Sequence, residues 1–326
     1  LEQDTGTDLE PGSEVAWSIF NTDPSAATVQ NKTNWIWLNA YDTFNIYNGA
    51  INDDMSMYIY GTDTGNPALP LMAKLNNDGS VDWAYTLNGL TEPYPPFYCG
   101  GIDYNYNSYF FVSDSNTHCA YIVQINSLGE IEWQRQLYIP DAASYGSVNT
   151  GLIDNKNNII LVASNNDSKT IFLKFSSNGD LIWQRITQHQ AGEEDGSTYS
   201  QPVILTDNSI LSVISQYQSD GSYRQIVLRI DESGNELLNK AWNIDLDLGL
   251  APVCLSADSA ANIYATSIAN DQPNSITATL QKISLTGETF WAKQYGKLST
   301  PYVQPAQSII DANDNIYVTY NFYNAG

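Results

Sequence analysis

The sequence is poor in basic residues, in histidine and in cysteine, and each shortage argues against a class of function. Thirteen Lys and Arg stand against 36 Asp and Glu, which gives a net charge of −23 over 326 residues. Such a charge repels phosphate backbones and anionic lipid surfaces, so nucleic acid is not an expected partner. The 2 histidines, His118 and His189, are too few for a three-histidine metal site, and the 3 cysteines show no Cys-x-x-Cys spacing that zinc or redox chemistry would need.

Long apolar runs and catalytic signatures are also missing. No run approaches the roughly 18 residues of a membrane-spanning helix, so membrane insertion is not expected. The chain has 4 arginines, three of them at equivalent repeat positions, which argues against a sialidase-like arginine cluster, and it has no Gly-x-Ser-x-Gly nucleophile elbow. Residues 1–14 lack the basic start of a signal peptide, so the chain looks like a mature or excised piece. Neither catalytic residues nor a metal site is predicted.

What the sequence does contain is a repeat, clearest in residues 174–183, Lys-Phe-Ser-Ser-Asn-Gly-Asp-Leu-Ile-Trp. Every copy has a long polar residue five positions before a glycine and a large apolar residue four positions after it. The glycines are spaced by 50, 50, 55 and 53 residues and are Gly79, Gly129, Gly179, Gly234 and Gly287. A period of this length built from short strands is typical of a β-propeller rather than a helical solenoid.

A second motif precedes each glycine motif and has the form Asp-x-x-x-Asn, as in Asp154 to Asn158 and Asp258 to Asn262. Its copies begin at positions 52, 103, 154, 207, 258 and 311, and the fourth copy is interpreted as a shortened turn, Asp207-Asn208-Ser209. Asp and Asn favour turns through local hydrogen bonds from side chain to backbone. Six units can therefore be counted.

Each unit is predicted to form four short strands, A to D. In the third unit, strand A ends near Asp154, and strands B, C and D cover 159–164, 170–175 and 181–186. The Asp-x-x-x-Asn motif is then the A to B hairpin. The glycine motif is the C to D hairpin, in which glycine supplies a positive φ and the tryptophan of strand D packs on the next unit. No segment has a convincing helical pattern.

The sequence therefore predicts an all-β chain forming one β-propeller domain over residues 1–326, with six blades of four-stranded antiparallel sheet. Residues 1–11 are expected to form a flexible arm. Residues around Trp17 resemble a D strand with no strands before it, and 308–323 resemble A and B strands with none after. The N-terminal strand is expected to join the last blade and close the ring, which would remove exposed sheet edges. An open array and a chain that continues beyond Gly326 are the alternatives.

The repeat resembles that of bacterial SBBP-type β-propeller proteins, whose units have the form D-x-x-G/N-N-I-Y-V followed by K-L-x-x-x-G-x-x-x-W. The resemblance covers roughly residues 45 to 326 and implies an architecture without an activity, because that family shares none. The glycine and tryptophan spacing, as in Thr286 to Trp291, is also similar to quinoprotein-type propeller repeats.

Function is expected on the face opposite the repeated turns, where the D to A and B to C connections are long and differ between units. Tyrosine there offers flat apolar area with a hydroxyl, which suits sugars or protein partners. The ligand-binding candidates are Tyr94, Phe97, Tyr98, Tyr145, Glu193, Glu194, Asp195, Tyr199, Tyr217, Tyr223 and Tyr302. The simpler interpretation is that these rings support the loops and that the acidic run is a solvated surface.

The favoured hypothesis is a non-catalytic recognition or scaffold module that binds glycan or protein, with neighbouring domains or subunits as further partners. Charged residues make up only 15% of the chain, and Asn, Ser, Thr and Gln take their place, a composition that favours an extracellular, cell-surface or virion-surface location. The alternative is a propeller enzyme, either a polysaccharide hydrolase or lyase or a quinoprotein-like oxidoreductase. No cofactor is expected, with calcium as an alternative at the acidic loops. A disulfide between Cys99 and Cys119 is a further alternative.

Overall fold

The computed structural model describes fifteen stretches of the chain, and the account below concerns these residues alone: 44–51, 56–63, 70–86, 99–114, 119–138, 147–164, 170–187, 194–197, 202–217, 223–242, 252–270, 276–285, 288–298, 302–310 and 313–323. They fall into two compact units, one within residues 1–89 and one within residues 90–326. All regular structure in these stretches is β-strand.

The strands form six antiparallel sheets, numbered here in chain order. Sheet 1, in the first unit, contains β1 (Phe44–Ile51), β2 (Met57–Asp63), β3 (Pro70–Leu75) and β4 (Val81–Thr86). Sheet 2 contains β5 (Cys99–Ile102), β6 (Ser108–Asp114), β7 (Cys119–Ile125) and β8 (Ile131–Tyr138). Sheet 3 contains β9 (Ser147–Ile153), β10 (Ile159–Ser164), β11 (Thr170–Phe175) and β12 (Leu181–Thr187).

The remaining three sheets differ slightly from one another. Sheet 4 contains β13 (Glu194–Ser197), β14 (Val203–Ile204), β15 (Ile210–Tyr217), β16 (Tyr223–Ile230) and β17 (Glu236–Trp242). Sheet 5 contains β18 (Pro252–Ala257), β19 (Ile263–Asn270), β20 (Ile276–Ile283) and β21 (Thr289–Leu298). Sheet 6 contains β22 (Tyr302–Ile310) and β23 (Ile316–Tyr323).

Sheets 1, 2, 3 and 5 are four-stranded meanders in the predicted A, B, C, D order. The prediction for the third unit is confirmed to within a residue or two at each strand end. The middle strands B and C carry continuous apolar runs because they are covered on both faces, and residues 159–163 of β10 are all buried. Strand D lies at the edge of its sheet, and most of its residues are exposed.

The A to B and C to D hairpins share one backbone geometry, although their sequence motifs differ. In both, the fourth turn residue donates its N–H to the carbonyl of the first, and the first donates to the fifth, as in the turns that begin at Asp154 and Ser176. The fourth residue has a φ between +59° and +62° in the A to B turns and between +80° and +87° in the C to D turns. Glycine occupies this place in the C to D turns, whereas the A to B turns use Tyr106, Asn157, Asn208, Ala261 and Asp314.

Within the second unit, each sheet packs against the next through its middle strands. One apolar cluster joins Phe111 and Ile122 of sheet 2 to Leu161 and Phe175 of sheet 3. Similar clusters join sheet 3 to sheet 4 and sheet 4 to sheet 5. Gly151 of β9 has no room for a side chain, because a Cβ there would lie 2.2 Å from the Phe111 ring. Close approach of neighbouring sheets therefore depends on a bare backbone at this position.

The repeated tryptophan packs on the glycine turn of the following sheet, as the sequence predicted. The Trp133 indole donates from Nε1 to the Ser177 carbonyl at 3.0 Å, and a Cβ on Gly179 would lie 3.1 Å from the ring. Trp183 repeats both contacts with the Glu232 carbonyl and Gly234. The glycine therefore serves two purposes, a positive φ and room for the indole of the preceding sheet.

The fourth A to B turn was wrongly interpreted as shortened. Leu205, and not Asp207, occupies the first turn position, since Leu205 exchanges the turn hydrogen bonds with Asn208 and Ser209. The turn has the full five residues, with a buried leucine in place of the aspartate. The error arose because the backbone geometry requires only a residue that tolerates positive φ at the fourth place, here Asn208, and not an aspartate at the first.

Candidate functional site

The most conspicuous polar cluster in each sheet belongs to the fold. In sheet 3, the Lys174 ammonium lies 2.9 Å from Asp154 Oδ2, and the two side chains are 2% and 0% exposed. The same carboxylate accepts the backbone N–H groups of Lys156 and Asn158 and the side-chain amide of Asn158. Every oxygen of Asp154 is therefore partnered inside the protein, and the pair is not available to a substrate.

Opposing effects act on the pKa of Asp154. Burial alone would raise this pKa, but the hydrogen bonds from Lys174, Asn158 and Lys156 outweigh burial and hold it below the ordinary value. The pKa of Asp258 in sheet 5 is lowered by the same balance, with burial opposed by Asn262, Tyr264 and Lys282. Both carboxylates are thus kept ionised, which suits a structural ion pair and not a general acid.

In sheets 3 and 5 the lysine before the glycine pairs with the turn aspartate, whereas Lys74 in sheet 1 pairs with Asp82 of strand D at 2.9 Å. Lys282 lies 3.8 Å from Asp258, and Arg229 lies 2.5 Å from Asp207. In sheet 2, Gln124 donates to the Tyr109 hydroxyl, which in turn donates to Asp103. The sequence showed a long polar residue before the glycine in every copy without indicating its role. Its repetition together with the aspartate was the available signal.

The Arg229 pair explains how sheet 4 manages without an aspartate at position 205. Arginine is longer than lysine and reaches a carboxylate two residues further along the turn. Hydrogen bonds from Ser209 first, and then the Arg229 charge, lower the pKa of Asp207. The pair of Arg229 with Asp207 therefore takes the place of the lysine–aspartate pair found in sheets 3 and 5.

Six of the predicted ligand-binding residues lie outside the described residues. These are Tyr94, Phe97, Tyr98, Tyr145, Glu193 and Tyr199. The other five were expected in irregular loops, but the structure places them in strands: Glu194 and Asp195 in β13, Tyr217 in β15, Tyr223 in β16 and Tyr302 in β22. They nevertheless lie at the strand ends opposite the repeated turns, as predicted.

Three of these residues occupy one row across sheet 4. Glu194 pairs with Tyr217, and Tyr217 pairs with Tyr223. Residues directly opposite one another on antiparallel strands have Cβ atoms about 5 Å apart. The next pairs along the strands join Gly196 to Gln216 and Gln216 to Arg224. The backbone pairing therefore places Glu194, Tyr217 and Tyr223 in one row at the end of a single sheet.

The A strand of sheet 4 is interrupted, whereas the A strands of sheets 1, 2, 3 and 5 are continuous. In sheet 4 the A position is divided between β14, which pairs with the turn end of β15, and β13, which pairs with its opposite end. The register shifts between Glu194 and Gly196, so Asp195 is the extra residue of a bulge. The A strands of sheets 1, 3, 5 and 6 have the same shift of register with one extra residue, so this bulge belongs to the repeat and does not by itself mark a functional site.

Tyr302 lies apart from this row. It pairs with Tyr323 at the end of sheet 6. Tyr323 was missed as a candidate because its surroundings in sequence looked like an ordinary strand. Cys99 and Cys119 are also placed, in β5 and β7 with β6 between them. Two strand spacings amount to about 9.5 Å, beyond the roughly 7 Å between Cα atoms that a disulfide spans, so the fold argues against that bridge.

Among the residues that the structure describes, no group of three or more His, Cys, Asp or Glu side chains is arranged to hold a metal ion. The calcium alternative stays a prediction, because the acidic loop lies partly outside these residues. Likewise, the described residues contain no helix long and apolar enough to cross a membrane.

Within the second unit, tandem antiparallel sheets that pack on one another have the arrangement of a β-propeller fold. The fold is similar to that of an ulvan lyase of polysaccharide lyase family PL25, with a TM-score of 0.58, 9% identity, and coverage of 87% of this chain and 80% of the lyase. A protein of unknown function from Dyadobacter fermentans gives a TM-score of 0.55 and 9% identity, covering 87% of this chain and 92% of that one.

A third similar structure is PorZ, described as an essential bacterial surface component of the type-IX secretion system of Porphyromonas gingivalis. It gives a TM-score of 0.51 at 11% identity, with coverage of 85% of this chain and 39% of PorZ. At such identities the likenesses concern the fold alone. No protein-family model matches the sequence, and the search of curated proteins gave no match. Membership of the SBBP-type family therefore stays a prediction.

Proposed function

We propose that this protein is an extracellular or surface-exposed recognition module that binds glycan through the strand ends opposite the repeated turns, without catalysing a reaction. The observation that carries the proposal is the row formed by Glu194, Tyr217 and Tyr223 across sheet 4. Phenol rings offer flat apolar faces for sugar C–H groups, and a carboxylate accepts hydrogen bonds from sugar hydroxyls. The backbone pairing makes residues of both kinds neighbours across the sheet.

The similar structures support a role outside the cell. One acts on a polysaccharide and another is a bacterial surface component, according to their descriptions. The net charge of −23 argues for uncharged glycans over sulfated or uronate-rich ones, because a strongly acidic protein repels anions at long range. A protein partner remains the alternative occupant of the same surface.

Affinity electrophoresis in gels containing soluble polysaccharides tests the proposal. We expect retardation by at least one neutral polysaccharide, and an affinity about tenfold lower in Tyr217→Ala and Tyr223→Ala, since a stacking ring contributes roughly 1.5 kcal/mol. Phe290→Ala is the matched control, because Phe290 is an exposed aromatic residue on the outer strand β21. If all three variants were retarded as strongly as the wild type, the row would not be the glycan-binding site.

A polysaccharide lyase is the second candidate, favoured by the TM-score of 0.58 with the ulvan lyase. Tyrosine can act as a general base or acid when its environment shifts its pKa. Incubation with ulvan and with other uronate-containing polysaccharides should then produce unsaturated products that absorb ultraviolet light. Product that disappears in Tyr217→Phe or Tyr223→Phe would establish an enzyme. Absence of product with every polysaccharide leaves the recognition module.

Six blades and a closed ring are also part of the proposal, on the strength of the sequence pattern. Residues 14–17, Glu-Val-Ala-Trp, match residues 130–133 and 288–291 at the start of strand D. Sheet 6 has only two described strands. If residues 14–20 complete the ring, their deletion should lower the melting temperature of the whole protein in one transition. An unchanged melting temperature would favour an open array.

A further inference from the structure

The A to B turn of sheet 2 differs from its counterparts in two side chains. Its second and fourth residues are Tyr104 and Tyr106, whereas the corresponding residues in sheets 3 to 5 are small or polar: Asn155, Asn157, Thr206, Asn208, Ser259 and Ala261. Tyr104 is 70% exposed and Tyr106 is 39% exposed. Two aromatic rings therefore stand on the face of repeated turns, at the opposite ends of the strands from the proposed glycan row.

The backbone of Tyr106 is strained. Its φ is +62°, a conformation that asparagine and aspartate tolerate but that is a genuine outlier for a bulky side chain. At the same turn position, Asn157, Asn208 and Asp314 also use their side-chain oxygens to accept a backbone N–H from the preceding sheet. A tyrosine lacks that short acceptor. The turn thus retains an unfavourable residue where the fold offers two better ones, a pattern associated with function.

Tyr104 is held in place at two points. Its backbone N–H donates to Asn157 Oδ1 at 3.1 Å, and its hydroxyl donates to Asn155 Oδ1 at 3.0 Å. Both acceptors belong to the next turn, so the ring is fixed against sheet 3 while most of its surface stays in water. A fixed, exposed ring loses little conformational entropy when a ligand stacks on it.

Exposed amides and an exposed leucine accompany the two rings. Asn105 and Asn155 contribute the amides, and Leu128 on the C to D turn of the same sheet is 79% exposed. The cation Lys156 is paired with Glu232, whereas the carboxylates of Glu130 and Glu132 accept from the Asn126 amide and keep their negative charge. Sugar C–H faces suit the rings and sugar hydroxyls suit the amides, whereas an anionic ligand would be repelled by these carboxylates.

We propose that Tyr104 and Tyr106 form a second glycan-binding surface, specific for uncharged saccharides, on the face of repeated turns. It is independent of the row in sheet 4 and would allow one molecule to bridge two glycan chains. Two sites on opposite faces raise the apparent affinity for a polymer without any new contact.

Affinity electrophoresis with laminarin, galactomannan and hydroxyethylcellulose tests the second surface, with alginate as the anionic comparison. The double variant Tyr217→Ala/Tyr223→Ala isolates it from the row in sheet 4. We expect one of the neutral polymers still to retard this double variant. A triple variant that also carries Tyr104→Ala should bind the same polymer at least tenfold more weakly. Retardation by alginate alone, or by none of the four polymers, overturns the proposal.

Tyr106→Asn separates binding from folding. Asparagine is favoured at a φ of +62°, so we expect this variant to melt at the same temperature as the parent or higher while losing at least fivefold in affinity. Unchanged affinity in Tyr106→Asn and in Tyr104→Ala would show that the rings serve the turn only. This result does not depend on whether the row in sheet 4 binds glycan, because separate variants test the two surfaces.

Discussion

The ion pair between Lys174 and Asp154 allows a quantitative test of what holds a sheet together. Both side chains are nearly inaccessible to water, and the ammonium lies 2.9 Å from the carboxylate. Replacing Lys174 with methionine preserves most of the volume but leaves a buried charge. Breaking a buried pair from one side typically destabilises a protein by about 3–5 kcal/mol. Three N–H donors still serve Asp154 in this variant, so we expect the lower end, roughly 3 kcal/mol.

The measurement is the free energy of unfolding from urea denaturation, with the melting temperature as a second readout. The expected loss should lower the melting temperature by roughly 5–10 °C. Lys156→Met is the matched control, because Lys156 lies two residues from Asp154 in an ion pair with Glu232 whose partners are 58% and 38% exposed. An exposed pair of this kind is worth less than about 1 kcal/mol.

The dependence of folding stability on pH tests the same ion pair independently. The pKa of Asp154 is lowered in the folded protein, so its contribution to stability is present above the pKa of the unfolded chain and is lost as the pH falls through the folded value. The wild type should therefore lose stability below about pH 4, and Asp154→Asn should lose less over that interval. The reasoning would be refuted if Lys174→Met were as stable as the wild type. It would also be refuted if the losses of unfolding free energy in Asp154→Asn and Lys174→Met simply added in the double variant.

Three further substitutions test the contacts between sheets. Ala261→Asn should stabilise the protein by about 1 kcal/mol, since asparagine tolerates the φ of +59° and can accept the Thr206 N–H, while Ala260→Asn should bring no gain. Gly151→Ala should destabilise by about 3 kcal/mol or more through a clash with the Phe111 ring, whereas Gly101→Ala meets only the Ile153 side chain at 2.9 Å and should lose less. Trp133→Phe should lose about 1 kcal/mol with the Ser177 hydrogen bond. Urea denaturation measures the free energy of unfolding of each variant. Equal values for Ala261→Asn and Ala260→Asn, or for Gly151→Ala and Gly101→Ala, would contradict the assigned contact.

The sequence predicted the sheet architecture well because its strongest signals are local. Gly179 and Trp183 are fixed by turn geometry and by one contact with a neighbouring sheet, both of which repeat at a constant period. The fourth A to B turn was misread for a related reason. Leu205 takes the place of aspartate there, and the compensating pair of Asp207 with Arg229 is visible only in three dimensions.

The candidate site was less predictable from sequence. Tyr217 and Tyr223 were expected in a loop, yet they pair directly, because their strands continue further than the alternation of side chains suggested. The pairing of Glu194 with Tyr217 joins residues 23 positions apart through the first part of an interrupted A strand. The position of this interruption has no periodic signal in the sequence. Tyr104 and Tyr106 were overlooked because they lie within a repeated turn, where regularity was taken as a sign of a structural role.

The boundary between sheets 4 and 5 lacks two of the contacts that fasten other sheets. Leu238 stands where other D strands carry tryptophan, so it has no indole N–H to donate, and Ala261 has no side-chain acceptor for the preceding turn. Among the described residues, the apolar cluster around Leu211, Val227 and Ile263 joins these two sheets. In a repeat array, stability is close to a sum over nearest-neighbour interfaces. Under partial denaturation, the second unit should therefore open at this boundary before it opens between sheets 2 and 3 or between sheets 3 and 4.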